Sequence, residues 1–226
     1  MTKLSNPVAR RITSDWADLF PEFSIWQPLR LLRRIGPVVQ GITLDKSTAG
    51  DQYYPTVHVH SLAQDFPVIS LTLAQRLLKP SGVQQPIEVD RHPEEFRWAA
   101  VRLEEQSAFS LRRAPELSEI AEALRAFALA AQRGRLPAAV PELRDSVFIP
   151  AASGDAEAAD ESLGLVAELS EKWSKYEAPP GWTDTREWLD WLRATADDVP
   201  GLTSLVDGQI VKHKLSKIRS SPGSSR

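Results

Sequence analysis

The sequence predicts an α+β fold: a four-stranded antiparallel meander packed against an N-terminal helix and followed by a C-terminal helical region. Three observations lead there. Apolar residues recur at helical spacing near the start of the chain. Between residues 23 and 73 the spacing falls to two, broken by short turn-rich loops. From residue 92 helical spacing returns and no longer alternates with strands. Connections this short cannot carry the crossovers that a parallel sheet requires.

The first helix is read in "SNPVARRITSDWADLF". Ser5 or Asn6 caps it, Pro7 suits its first turn, and Val8, Ile12, Trp16 and Leu19 form one apolar stripe. In "FSIWQPLRLLRRI" (23–35), alternation puts Phe23, Ile25, Leu29 and Leu31 on one face and Trp26, Arg30 and Arg34 on the other. "PVVQGITLD" (37–45) follows a Gly36-Pro37 turn. "YYPTVHVHSL" follows a hairpin loop with Gly50-Asp51 near its tip, and "FPVISLTL" (66–73) is the last expected strand. Helices are expected in "HPEEFRWAAVRLEEQSAF", in "SEIAEALRAFALAAQRGR" with Ser118 as cap and Gly134 as stop, and in "ESLGLVAELSEKWSKY". Two more are expected in "TDTREWLDWLRATADD", capped by Thr183 or Asp184, and in "GLTSLVDGQIVKHKLSKI". "PAAVPELRDSV" reads as a short helical turn and the acidic "ASGDAEAADES" as a loop or domain seam. The expected organisation is an antiparallel-sheet domain over 1–90, a helical region over 91–219 packed on or beside it, and a disordered polar tail over 220–226.

Composition narrows the function classes. The net charge of −3 implies neither a general nucleic-acid binder nor a strongly acidic mimic. There is no cysteine, which removes disulfides, thiolate metal sites and Cys nucleophiles, and suits a reducing cytoplasm. "MTKLSNPVARRITSDW" lacks the apolar core of a signal peptide, and no run reaches the roughly 20 apolar residues of a membrane span. A cytoplasmic protein with no membrane partner is expected.

The stretch "QYYPTVHVHSL" holds two of the four histidines. On a strand, Val57 and Val59 point to one face while Thr56, His58 and His60 point to the other. Two imidazoles at i and i+2 can share a metal, but a third ligand is needed, and Asp45 is the nearest plausible carboxylate. The expectation is therefore no metal, no cofactor and no assigned catalytic residue. Arg30, Arg34, Thr43, His58, His60, Ser70 and Thr72 are placed on one polar sheet face, where arginine forks suit carboxylates or phosphates. "REWLDWLR" sets Trp188 and Trp191 at i and i+3, either as core or as anchors of a partner groove. "VKHKLSKIRS" carries Lys212, Lys214, Lys217 and Arg219, a solvated helix end or a contact for an acidic partner or nucleic acid. Phosphate-loop, dinucleotide-loop and GxSxG motifs are missing from the sequence.

The run "RLLRRIGPVVQGITLDKSTAGDQYYPTVHVHSLAQDFPVISLTL", within residues 23–73, resembles the strand core of uncharacterised bacterial domains of the toxin-immunity and defence-associated type. The resemblance rests on a basic strand, a Gly turn, a strand opening on a polar position and a Tyr-Pro-led strand. It implies an intracellular protein that binds another macromolecule, and it carries over no active-site residue. The resulting expectation is an immunity or defence-system component binding another protein, with nucleic acid the weaker partner class. Candidate binding residues are Arg30, Arg34, His58, His60, Trp188 and Trp191. The alternative is a hydrolase acting on a phosphate-bearing substrate through the polar face around Arg30, His58 and His60.

Overall fold

The computed structural model describes residues 2–173 and 179–221. Helix α1, Asn6–Leu19, begins after Ser5 with a proline in its first turn and buries Ala9, Ile12, Thr13 and Trp16. A meander of five strands follows, all neighbours antiparallel: β1 (Ser24–Gln27), β2 (Arg30–Ile35), β3 (Val38–Lys46), β4 (Gln52–Ser61) and β5 (Thr72–Arg76). The α+β class is as expected, but the strand count is one higher. Residues 23–35, read as one strand, fold back on themselves, because Gln27 pairs with Arg30. Pro28 has no N–H for the ladder, and Leu29 takes a left-handed φ of 67°. The turn is pinned from outside by the Leu29 N–H, which donates to Thr13 Oγ1 at 2.7 Å. The last meander strand starts at Thr72 and not at Phe66, since 66–71 is a loop over the sheet.

Two short strands complete the edges. β6, Ile87–Glu88, pairs with the start of β4, and β7, Ser220–Ser221, pairs in parallel with the end of β2. Ser220 and Ser221 were expected in a disordered tail. Their ladder to Arg34 and Ile35 moves that boundary, and 222–226 lie outside the described residues.

The helical half comprises α2 (His92–Gln106), α3 (Leu117–Arg133), α4 (Val140–Ala152), α5 (Ala156–Ser170), α6 (Thr185–Asp197) and α7 (Val199–Lys212). α3 is started by a reciprocal box between Glu116 and Glu119, not by Ser118, and it stops at Gly134 as expected. The short turn expected near 140 is a 13-residue helix containing Pro150 near its end. Most of the acidic seam is helical too, because the Asp155 carboxylate accepts from the Ala158 N–H at 3.1 Å and nucleates α5. α5 ends at Ser170, and the expected extension to residue 176 runs into residues outside those described. Asp184 caps α6 as expected.

The sheet is covered on both faces. Leu31, Ile42, Tyr53 and Val57 pack with Ile12 and Trp16 of α1 and Phe96 and Leu103 of α2. Further along the same face, Ile35, Val38 and Val59 meet Leu117, Ile120 and Leu124 of α3 and Ile149 of α4. On the opposite face Leu32 and Val39 lie under Leu62, Ile69, Leu215 and Ile218. A further core, with Phe148, Leu163, Trp188 and Leu192, binds α4, α5 and α6 together. Each fully buried side chain of the size of Ile12 or Leu31 contributes roughly 1.5–3 kcal/mol relative to exposure. The two covers therefore decide which sheet residues remain available for function.

Candidate functional site: a sealed polar sheet face

The register brings together the side chains expected to share the polar face. Arg30 pairs with Thr43 and Thr43 with Thr56; Gly41 pairs with His58 and Val39 with His60. Val57 and Val59 face the helices on the other side, as alternation requires. Alternation leads to an exposed or pocket-lining face for these two imidazoles, and this is corrected: His58 and His60 are buried, at 3% and 0%. The reason is the C-terminal segment 213–221. α7 ends at His213, Lys214 turns left-handed at φ 56°, and the chain then lies back across the sheet. Leu215 and Ile218 enter the apolar layer, and β7 closes the edge. The loop after β4 seals the remainder, with the Phe66 ring 5.8 Å from that of His60.

Beneath this cover the imidazoles serve the structure. The Ser70 N–H donates to His60 Nδ1 at 3.1 Å, which leaves the ring proton on Nε2. That Nε2 and His58 Nδ1 are buried with no hydrogen-bond partner among the described residues. His58 Nε2 lies 3.1 Å from Thr43 Oγ1. Its ring occupies the space above Gly41, where a Cβ would stand 2.3 Å from Nε2. The glycine thus makes room for the histidine. Burial pushes the His58 pKa down to about 4. Burial, with His213 and His58 close by, pushes that of His60 down to about 3. Both rings are neutral near neutral pH. His213 stands edge-on to His60 at 5.9 Å and bonds through Nε2 to Gln209 Oε1 at 3.0 Å. Asp45, the nearest plausible carboxylate for a third ligand, accepts from Thr56 and pairs with Arg76 at 3.5 Å. Among the described residues no group of three or more His, Asp or Glu side chains is placed to hold a metal.

The other candidates separate. Arg30 is exposed and its guanidinium sits 5.7 Å from the centre of the Trp26 ring. Arg34 is half-buried beside Thr203 and Val206 of α7. Trp188 is 1% exposed and tilted against Trp173 at 5.6 Å, so it is a core residue and not a surface anchor. Trp191 is half-buried between Trp182 and Phe148, both at 5.5 Å. Both indoles belong to the helical core, apart from the apolar layer of Leu215 and Ile218 that lies over the sheet face of the histidines.

Three polar clusters were not read from the sequence. The Trp16 N–H donates to Tyr53 Oη at 3.2 Å, the Tyr53 hydroxyl to His92 Nδ1 at 2.7 Å, and His92 Nε2–H to Asp15 at 2.9 Å. This Asp–His–Tyr relay has the polarity of a catalytic triad, yet Tyr53 and His92 are both buried, and burial raises the tyrosine pKa. It fastens α1, β4 and α2 to one another. Arg33 is buried on the helix-covered face. It donates to Gln40 Oε1 at 2.8 and 2.5 Å and to the carbonyls of Ser110 and Arg113, with the Phe23 ring centre 4.6 Å from its guanidinium. Burial lowers its pKa to about 10. Asp145 of α4 accepts from Gln64 just beyond β4, and burial lifts its pKa to about 7. These partners lie 7 to 81 positions apart, so no local motif announces them. No family model matches the chain, and neither a curated protein nor a solved structure matches it.

Proposed function

We propose that this chain is an interaction protein of the immunity or defence-component type, working by binding another protein through its surface. One observation carries the reading: all four histidines are buried, and the imidazoles of the polar face are held neutral beneath 213–221. The acid/base groups that a hydrolase would use, His58 and His60, are thereby kept from substrate in this arrangement, and of that trio Arg30 alone stays exposed. The resemblance of residues 23–73 to toxin-immunity and defence-associated domains supports the same reading.

The test is purification of the tagged chain from its source organism after mild cross-linking, followed by intact-mass measurement. The expected result is a second polypeptide in near-equimolar amount. A chain that is recovered alone and cleaves phosphate esters, with that activity abolished in His60→Asn, would overturn the reading.

A further inference from the structure

The segment 212–219, basic in the sequence, is not a solvated helix end. It is folded across the sheet edge, where β1 and β2 add their own side chains. The Trp26 N–H donates to the His213 carbonyl at 2.9 Å, which ties β1 to the start of the segment. At its far end the Arg219 N–H donates to Ser24 Oγ at 3.0 Å and the Arg219 carbonyl accepts from the Arg34 N–H at 2.8 Å. Lys214, Lys217, Arg219 and Arg30 are all exposed along this surface. Among the described residues none of the four has a carboxylate within ion-pair distance. By contrast Lys212 is engaged by Asp65 at 2.5 Å, and arginines elsewhere pair with Glu95, Glu119 or Glu161. Among the described residues of a chain of net charge −3, four cations thus lack a carboxylate partner along this surface, the Arg219 guanidinium donating only to the Pro21 carbonyl.

We propose that this basic face is the docking site for an acidic, extended segment of a partner protein. The proposal rests on the interaction reading above and names the chemistry of the partner. Guanidinium and ammonium groups pair with carboxylates, and the indole of Trp26 beside Arg30 adds the Trp–Arg combination enriched at interface hot spots. Three features favour a peptide over a nucleic acid. Among the described residues β1 pairs with β2 alone, so its outer edge offers main-chain groups to an extended peptide. Ile25, paired with Leu31 and 52% exposed, lies on the other side of that strand from Trp26, where the alternate residues of an added peptide strand would meet it, an apolar contact that a phosphate backbone cannot use. Four cations also fall short of the roughly 6–10 phosphate contacts behind strong nucleic-acid binding.

The experiment measures binding of the full chain to three labelled probes: a ten-residue peptide alternating Glu and Val, its Gln-for-Glu counterpart, and a ten-nucleotide single-stranded DNA. The variants are Arg30→Ala and the double change Lys214→Asn with Lys217→Ala. Asparagine tolerates the left-handed backbone at position 214, so the charge is removed and the turn kept. The double change Arg10→Ala with Arg97→Ala, at exposed positions of the two helices covering the opposite sheet face, is the charge-matched control, and thermal melts confirm folding of each. The Glu peptide is expected to bind best and to lose roughly tenfold in affinity in the double variant, with less than about twofold loss in the control. Equal losses in double variant and control, or tighter binding of the oligonucleotide than of the Glu peptide, would overturn the proposal. A cellular partner that binds the double variant and Arg30→Ala as well as the unaltered chain would also overturn it, while leaving the interaction reading intact.

Discussion

Asp145→Asn tests the electrostatics of the junction between sheet and helices. Asp145 is buried against Gln64, and burial raises its pKa from 3.8 to about 7. A carboxyl whose folded pKa is raised binds its proton more tightly in the native state, so it costs stability as pH climbs from about 4 through about 7. The full penalty is on the order of 4 kcal/mol, and at pH 5.5 about half of it is already present. Between pH 5.5 and 8 the remaining cost is about 2 kcal/mol. Asparagine keeps the oxygen that accepts from Gln64 and cannot ionise. Urea unfolding of both proteins at pH 5.5 and 8 should therefore show the variant gaining about 2 kcal/mol relative to the parent at the higher pH. His58 and His60 have the opposite sign: their folded pKa values are depressed, so their stabilisation is complete above about 6.5 and is lost as pH falls toward 4 and 3. Since both proteins carry the histidines, that loss cancels in the difference. Parallel stability–pH curves would refute the reasoning, because they would mean that Asp145 ionises without cost.

Gly41→Ala should cost roughly 1–3 kcal/mol in chemical denaturation by driving a methyl group into the His58 ring and Leu32, whose nearest atoms lie at 2.3 and 2.8 Å. Arg33→Ala should cost roughly 2–4 kcal/mol by leaving buried Gln40 and the partly buried carbonyls of Ser110 and Arg113 without their donor, and a loss below about 1 kcal/mol would show that those groups find other partners. Trp188→Ala should lower stability by roughly 3–5 kcal/mol without weakening partner affinity in the folded fraction, as calorimetry on that fraction would show. His60→Asn retains an acceptor for the Ser70 N–H, so partner binding should stay within about twofold, whereas a total loss with folding intact would point to chemistry at that ring.

Alternation was enough to read the register of the polar face, because Val57 and His58 cannot share a side of one strand. It did not reveal what covers that face. His58 looked exposed because its cover, Leu215 and Ile218, lies about 160 residues further along in a segment whose lysines suggested solvent. The hairpin at Pro28-Leu29 was missed because no glycine marks it: a leucine takes the positive φ, held there by Thr13 of the preceding helix. Cap residues were readable where they were local, as at Asp184 and Gly134. Trp188 could be read either as core or as an anchor, and only the packing of α4 and α5 around it decides. The buried Arg33, Asp145 and His92 clusters depend on tertiary partners, which periodicity does not encode.

Nitrogen-detected NMR of the imidazole rings across pH 8 to 5 tests the central claim most directly, namely that the paired histidines of β4 are interior, neutral elements and not a working site. His58 and His60 should keep constant shifts over that range, with the His60 proton on Nε2. Titration of either ring near 6.5, as in an imidazole open to solvent, would contradict the sealed face and return the two histidines to the surface.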